Sequence, residues 1–295
     1  MRILLAAIVA VVCAAPVATA PTPAASAPAL SPTAAPAVAP TPSPAPTPSP
    51  SPTPRPDPVA AADPAGLAAQ IAAAERAVRD PATSEADAAW MGHQAQVAYR
   101  ALATRRDQHA AVVAAVPEDL RTAVSRNLAA TADLRSMTSP RTELPPWRIV
   151  APAPADTLLA HYRAAEAEFG VPWPYLASIH LVETRMGRIR GTSTAGAQGP
   201  MQFMPATWAA YGRGDINDDG DAIRAAARYL QANGAPATMD NALFRYNNDV
   251  RYVRAVTAYA EVMRAEPAAY RGYHGWQVYY LTVSGDVLLP VGYSR

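Results

Sequence analysis

From residue 62 onward, apolar positions recur at helical spacing through most of the chain, interrupted by proline, glycine and acidic punctuation. Leu67, Ile71, Ala74 and Val78 form one stripe, opened by Asp63-Pro64 and broken by Asp80-Pro81. Ser84 with Asp87 three residues on predicts the cap of a second helix, running through Trp90, Val97 and Tyr99 to Leu102. Pro117 begins a third, through Leu120, Val124, Leu128 and Leu134. These three Ala-rich helices predict an accessory layer over 62–138 without clustered titratable groups, with His93 and His109 as surface or packing residues. Five prolines make 139–155 an extended connector, docked through Trp147, Ile149 and Val150. Asp156 is expected to cap a helix through Leu158, Leu159, Tyr162, Ala165 and Phe169, ending at Gly170.

The next stretch carries the most unusual residue. Pro174 suits a helix start, because its missing N–H would be an orphan there anyway. Tyr175 to Met186 then has no breaker, and Gly187 is a natural stop. Leu176, Ile179 and Glu183 share one face of that helix. A carboxylate among inward-facing apolar residues must find a partner or hold its proton more tightly. The first outcome would pair Glu183 with Arg185 or Arg188; the second would equip it as a general acid.

Beyond it, glycines at 191, 196 and 199 imply a loop that approaches something closely, flanked by Met201, Phe203, Met204 and Trp208, with Pro205 opening a short helix. The loop lacks the phosphate-binding arrangement, and the chain has no lysine at all, which argues against nucleotides. Asp215, Asn217, Asp219 and Gly220 match the first half of a calcium loop, but Ala226 stands where the bidentate Glu belongs. The simpler expectation is a solvated acidic turn, with Asp221 capping a helix over 222–231. Met239, Ala242 and Leu243 begin another helical run, kinked at Tyr246-Asn247-Asn248-Asp249 and resumed at Val253, Val256, Tyr259 and Val262. An aromatic tail ends in two strands flanking Ser284-Gly285-Asp286.

Composition narrows the picture. The net charge of +1 gives no electrostatic case for nucleic acid. The single cysteine, Cys13, falls in the leader, so neither a disulfide framework nor a cysteine metal site is expected, and no cofactor is called for. Residues 1–20 have the features of a secretory signal: Arg2, an apolar run and Ala18-Thr19-Ala20 as cleavage site. An uncleaved anchor or a lipidated Cys13 are the alternatives. Residues 21–58 are Pro, Ala, Ser and Thr with almost no charge, an extended spacer that at ~3 Å per residue reaches on the order of 100 Å.

Four stretches together resemble one group of enzymes: Glu183-Thr184-Arg185-x-Gly187-Arg188; Ser193-x-x-Gly196-Ala197-x-Gly199-x-Met201-Gln202-Phe203-Met204-Pro205; Asp221-Ala222-Ile223 with Ala226 and Tyr229-Leu230; and Tyr246-Asn247. Their order and spacing resemble the lytic transglycosylases of the lysozyme superfamily, the soluble and membrane-bound B types, over roughly 158–263. The resemblance implies an all-α, goose-type lysozyme lobe over 156–268, with the N-terminal helices and the tail at 269–295 outside it. It implies that peptidoglycan glycan strands are the substrate and that Glu183 is the catalytic acid. It also implies that Ser193, Met201, Gln202, Tyr246 and Asn247 line the sugar site, with Tyr246 and Asn247 helping to hold Glu183. The family's usual Ser after the Glu is Thr184 here, and its usual Leu before the Met is Pro200, which removes a backbone donor. Arg185 and Arg188 would meet substrate carboxylates or serve as structural ion pairs. A monomeric exported enzyme is the expectation. The competing readings are a muramidase on the same fold, with Asp215 or Asp249 as the base for water, and a non-catalytic wall-binding module.

Overall fold

Asp63 opens α1 (Pro64–Arg79) by accepting from the Gly66 N–H at 2.9 Å, and Ser84 opens α2 (Glu85–Leu102) by accepting from Asp87 N–H at 3.1 Å. The computed structural model describes residues 55–295; the expected leader at 1–20 and nearly all of the spacer at 21–58 lie outside them. Residues 57–295 form one compact unit. The accessory region holds four helices rather than three. Between α2 and α4 (Glu118–Ser136), the segment after Leu102 turns through Arg106–Gln108 into a short α3 (His109–Ala115), whose Val112 is its buried residue. A seven-residue helix with one buried side chain leaves too little periodicity to be seen in advance.

The accessory helices also bury what the sequence does not suggest, a polar cluster. Glu75 is 5% exposed. It accepts from Tyr99 Oη, Asn127 Nδ2 and Arg79, while Tyr273 Oη donates to Asn127 Oδ1. Three helices, α1, α2 and α4, thus meet at one carboxylate, and α11 (Ala269–His274) joins the cluster through Asn127. His93 is buried against Tyr279 Oη at 2.8 Å, and His109 bonds the Leu102 carbonyl at 2.7 Å.

Of the connector, Arg148–Ile149 forms β1, paired antiparallel with β2 (Ile189–Arg190). Trp147, Ile149, Ile189, Val278, Tyr280 and Leu289 make a second small core there. α5 (Ala155–Phe169) starts without a side-chain cap: Asp156 lies inside its first turn, not before it, and the helix stops at left-handed Gly170. α7 (Pro205–Tyr211) starts at Pro205. α8 (Asp219–Ala232) is capped by Asp218, not Asp221, whose carboxylate reaches back to Asp215 N–H instead. Asp218, Asp219 and Asp221 compete for that role, and Asp218 stands three residues before the N–H it satisfies.

The expected kink is a full break. α9 (Met239–Tyr246) ends, and α10 (Val250–Ala265) begins with Asp249 accepting from Arg251 N–H at 2.8 Å. The inward stripe of α10 starts at Tyr252 rather than Val253, then follows Val256, Tyr259 and Met263. α10 packs on α4 on one side and on α6 (Trp173–Thr184) on the other, which joins the accessory layer to the central helix. The tail packs rather than projecting: Tyr270, Tyr273, Trp276 and Tyr280 are buried. Its hairpin pairs β3 (Val278–Thr282) with β4 (Gly285–Leu289), and because Thr282 faces Gly285 the turn is Val283–Ser284, one step earlier than the Ser-Gly-Asp expectation. Among the described residues the fold is all-α apart from these two small sheets. Among the described residues, no helix is long and apolar enough to cross a membrane.

Candidate active site

α6 is the element around which the others gather. Its buried residues lie on every side: Leu176, Ala177, Ser178, Ile179, His180, Leu181, Glu183 and Thr184. The helix is therefore central rather than amphipathic, and the stripe of Leu176, Ile179 and Glu183 is part of a wholly buried cylinder. Polar groups on it need partners. His180 bonds Tyr162 Oη at 2.8 Å, and burial holds its pKa down to about 3, so the ring is neutral.

Glu183 is 3% exposed. Tyr252 Oη donates to its Oε1 at 2.8 Å. Burial pushes its pKa up to about 8, against the smaller opposing effects of the Tyr252 hydrogen bond and the Arg185 charge. It is thus a carboxyl group that carries its proton at neutral pH. The two arginines offered as its partners are engaged elsewhere. Arg185 donates to the Leu181 carbonyl at 2.5 Å, closing the C-terminal end of α6, and acts on Glu183 only through its field. Arg188 donates to the carbonyls of Trp276 and His274, at 2.9 and 2.8 Å, and ties the tail to the central helix. Burial lowers the pKa of each to about 10.

The helix ends in a rare conformation: Arg185, Met186 and Gly187 all have positive φ. This turn releases Thr184 to make two contacts. Its hydroxyl donates to the Pro200 carbonyl at 2.6 Å and accepts from Gly187 N–H at 3.1 Å. Pro200 contributes through its carbonyl, so its missing N–H leaves this anchor intact. The following loop is held internally. Ser193 Oγ accepts from Ala195 and Ala197 N–H groups at 3.2 and 3.0 Å, and Gln198 pairs with Phe203 across a β-bridge. Gly199 has φ +73°, and a Cβ there would sit 2.0 Å from the Ile216 carbonyl oxygen. We expect Gly199→Ala to force the loop away from the Ile216 carbonyl and to cost more than about 1 kcal/mol, measured as a lower midpoint in urea.

Gln202 is the strained member of the loop, at φ +53°, with its side chain buried. Its Nε2 donates to the Gly199 carbonyl at 2.9 Å, and its Oε1 is buried without a donor. Met201 is fully buried, and its carbonyl accepts from Tyr246 Oη at 2.7 Å. Tyr246 also lies parallel to Tyr252, with ring centres 6.5 Å apart, and edge-on to Phe203 and Tyr229. A continuous set of contacts therefore runs from Glu183 through Tyr252 and Tyr246 to Met201, and a second runs through Thr184 to Pro200. Asn247 is fully buried where α9 ends, and its carbonyl accepts from Asp249 N–H at 2.7 Å.

The structure thus joins Glu183, Met201 and Tyr246 in one contact set, with Gln202 next along the same loop; Ser193 fastens the loop's far end and faces a separate cavity. Tyr252, which sequence reasoning missed, donates directly to Glu183, and Tyr246, stacked on Tyr252, secures the loop through the Met201 carbonyl. Tyr252 sits 69 positions from Glu183. Only its place on the buried face of α10 could have marked it. Of the acidic-turn oxygens, Asp215 Oδ1 accepts from Asn217 N–H, and Asp218 Oδ1 from Asp221 N–H. No group of three or more acids, histidines or cysteines suited to a metal is present among the described residues.

Residues 161–265 match the family model described as Transglycosylase SLT domain. No curated protein and no solved structure matches the chain.

Proposed function

For a chain whose residues 161–265 are a transglycosylase SLT domain of the lysozyme-like superfamily, we propose an exported lytic transglycosylase that cuts the glycan strands of peptidoglycan. The observation that carries this is one buried, proton-bearing carboxyl group held by a tyrosine beside a glycine-rich loop. The bond cleaved is the β-1,4 link from N-acetylmuramic acid to N-acetylglucosamine. Glu183 gives its proton to the departing glycosidic oxygen as the C1–O4 bond breaks. The substrate's own N-acetyl oxygen supports the electron-poor C1. The Glu183 carboxylate then removes the proton from the C6 hydroxyl, O6 bonds to C1, and a 1,6-anhydro ring results. No water is consumed and the acid ends protonated, ready for another turn.

A glycosidase using water needs a second carboxylate, placed across the bond as base or nucleophile. The two candidates for a hydrolytic base are engaged otherwise. Asp249 caps α10 and is clamped by Arg251, which lowers its pKa, and Asp215 binds the Asn217 amide in an exposed turn. This favours the single-acid reaction over a muramidase. The buried acceptor Oε1 of Gln202 suits a sugar hydroxyl, and the Tyr246–Met201 bond keeps that loop in register. The signal-like leader and proline-rich spacer support export to the cell wall.

Digestion of isolated sacculi, followed by product mass, tests the reading. Anhydro ends, one water lighter, are expected; reducing ends would identify a hydrolase, and intact sacculi with bound protein a wall-binding module. A companion variant tests the tyrosine. Tyr252→Phe removes the donor to Oε1 and is expected to lower kcat by about 10-fold or more. Because that hydrogen bond favours the ionised acid, its loss should move the alkaline fall in activity to higher pH.

A further inference from the structure

A cavity between the accessory helices and the end of α6 is lined by three arginines and no acid. Arg100 comes from α2, Arg135 from α4 and Arg185 from the left-handed end of α6. Arg100 and Arg135 lie outside residues 161–265, so only the folded chain brings the three together. The cavity holds about 80 Å³, well below the roughly 300–1,000 Å³ of small-molecule sites. At about 10–15 Å³ for each water it has room for several, and so for one four-oxygen anion.

The charges on this wall do not balance. Asp286, on β4, pairs with Arg100 at 2.8 Å and with Arg135 at 2.9 Å, so one carboxylate serves two guanidinium groups. It takes only Nε and Nη2 of Arg100 and only Nη1 of Arg135, which leaves donors on both. Arg185 has no ion pair among the described residues. Its Nη1 donates to the Leu181 and Val182 carbonyls, and its Nε and Nη2 are not used. The side chain is partly exposed and lines the cavity. The neutral polar groups of the wall are satisfied within the fold. Gln96 exchanges two hydrogen bonds with the Gln277 backbone, Thr131 joins the Asn127 carbonyl to Tyr259 Oη, and Tyr279 Oη bonds His93. The spare donors are therefore the cationic ones. Burial lowers the Arg100 pKa against the pull of Asp286, and the Arg135 charge adds to the fall. Burial lowers that of Arg185 as well, and the Arg100 charge adds to it. The like charges thus repel one another around the cavity.

We propose that this cavity is a binding site for one small inorganic oxyanion of the phosphate or sulfate class, gripped by Arg100, Arg135 and Arg185. Such an ion accepts charge-assisted hydrogen bonds from the spare guanidinium donors and cancels their mutual repulsion. It ties α2 and α4 to the end of α6, two positions beyond Glu183. The accessory layer is thereby fastened to the matched domain by an ion as well as by apolar packing. The site stands apart from the reaction at Glu183 and holds whether or not the chain cuts glycan.

The test is calorimetric, on the full chain at low ionic strength. Inorganic phosphate is the probe, and sodium chloride at equal ionic strength controls for screening. One phosphate should bind per chain. Arg135→Gln, at a side chain 23% exposed, should weaken binding about 10-fold. Asp286→Asn should tighten it about 3-fold or more, because the amide keeps the shape of the competing carboxylate and drops its charge. Loosened packing weakens a site and does not tighten it, so the sign of this change separates an anion site from a structural effect. Phosphate should also raise the urea midpoint of the wild-type chain at concentrations where chloride does not, as a ligand of the native state does, and the rise should be absent in Arg135→Gln. No phosphate binding by the wild-type chain, equal effects of phosphate and chloride, or an affinity in Asp286→Asn no higher than wild type overturns the site. Should Arg135→Gln fail to fold, the wild-type titration and the Asp286→Asn variant still decide.

Discussion

Glu183→Gln is expected to abolish glycan cleavage and to make the folded chain more stable relative to wild type as the pH rises. The first effect follows from chemistry. An amide cannot deliver a proton to the leaving oxygen or take one from the C6 hydroxyl, and loss of an acid–base group costs on the order of 10³-fold in rate. The second follows from burial. The acid holds its proton in the fold to about pH 8, whereas in the unfolded chain it releases it near its ordinary value of 4.5. Between those two values the native state binds one more proton than the unfolded state, so wild-type stability falls as pH rises through that window. At about 1.4 kcal/mol per pKa unit, the accumulated cost at pH 9 is on the order of 5 kcal/mol. Glutamine fills the same volume without this linkage. Any fixed cost of its amide group is the same at all pH values, so the quantity to measure is the difference between variant and wild type in urea unfolding at pH 5 and at pH 9. It should grow in the variant's favour with pH; equal slopes for the two proteins would mean that Glu183 ionises as it does in water.

The other large effect is expected in the accessory helices. Glu75→Ala should lower stability by about 3–5 kcal/mol, because it leaves the Tyr99 hydroxyl, the Asn127 amide and part of the Arg79 guanidinium buried without their acceptor. Against a typical total of about 5–15 kcal/mol, this is a large share. Asp133→Ala is the matching control. It breaks the ion pair with Arg254, whose side chain is 59% exposed, and should leave the urea midpoint almost unchanged. Urea midpoints for the two variants measure the contrast. The cluster bears on the site because α4, which carries Asn127, packs on α10, which carries Tyr252.

Punctuation that acts within a few residues is legible in the sequence. Asp63, Ser84, Gly170 and Pro205 mark helix ends because each satisfies or lacks a backbone group close by in the chain. The unusual placement of Glu183 is visible for the same reason, since a carboxylate between Ile179 and the end of an apolar helix stands out locally. What joins distant segments is not visible. The pairing of Arg148 with Arg190 and the meeting of three helices at Glu75 depend on tertiary packing, which local patterning does not encode. Tyr252 illustrates the limit. On α10 it is one more large residue on a buried face, and its role as donor to Glu183 exists only because α10 lies against α6. The same holds for Arg141, which in sequence is a charged residue in a proline-rich connector and in the fold a buried fork without an acceptor.

The central claim is that position 183 holds a protonated carboxyl group near neutrality because it is dry. The direct measurement is the pH titration of its carboxyl carbon by 13C NMR, assigned by the signal's absence in Glu183→Gln. A midpoint near pH 8 is the result this account predicts. A midpoint near 4.5, that of a solvated glutamate, would contradict it.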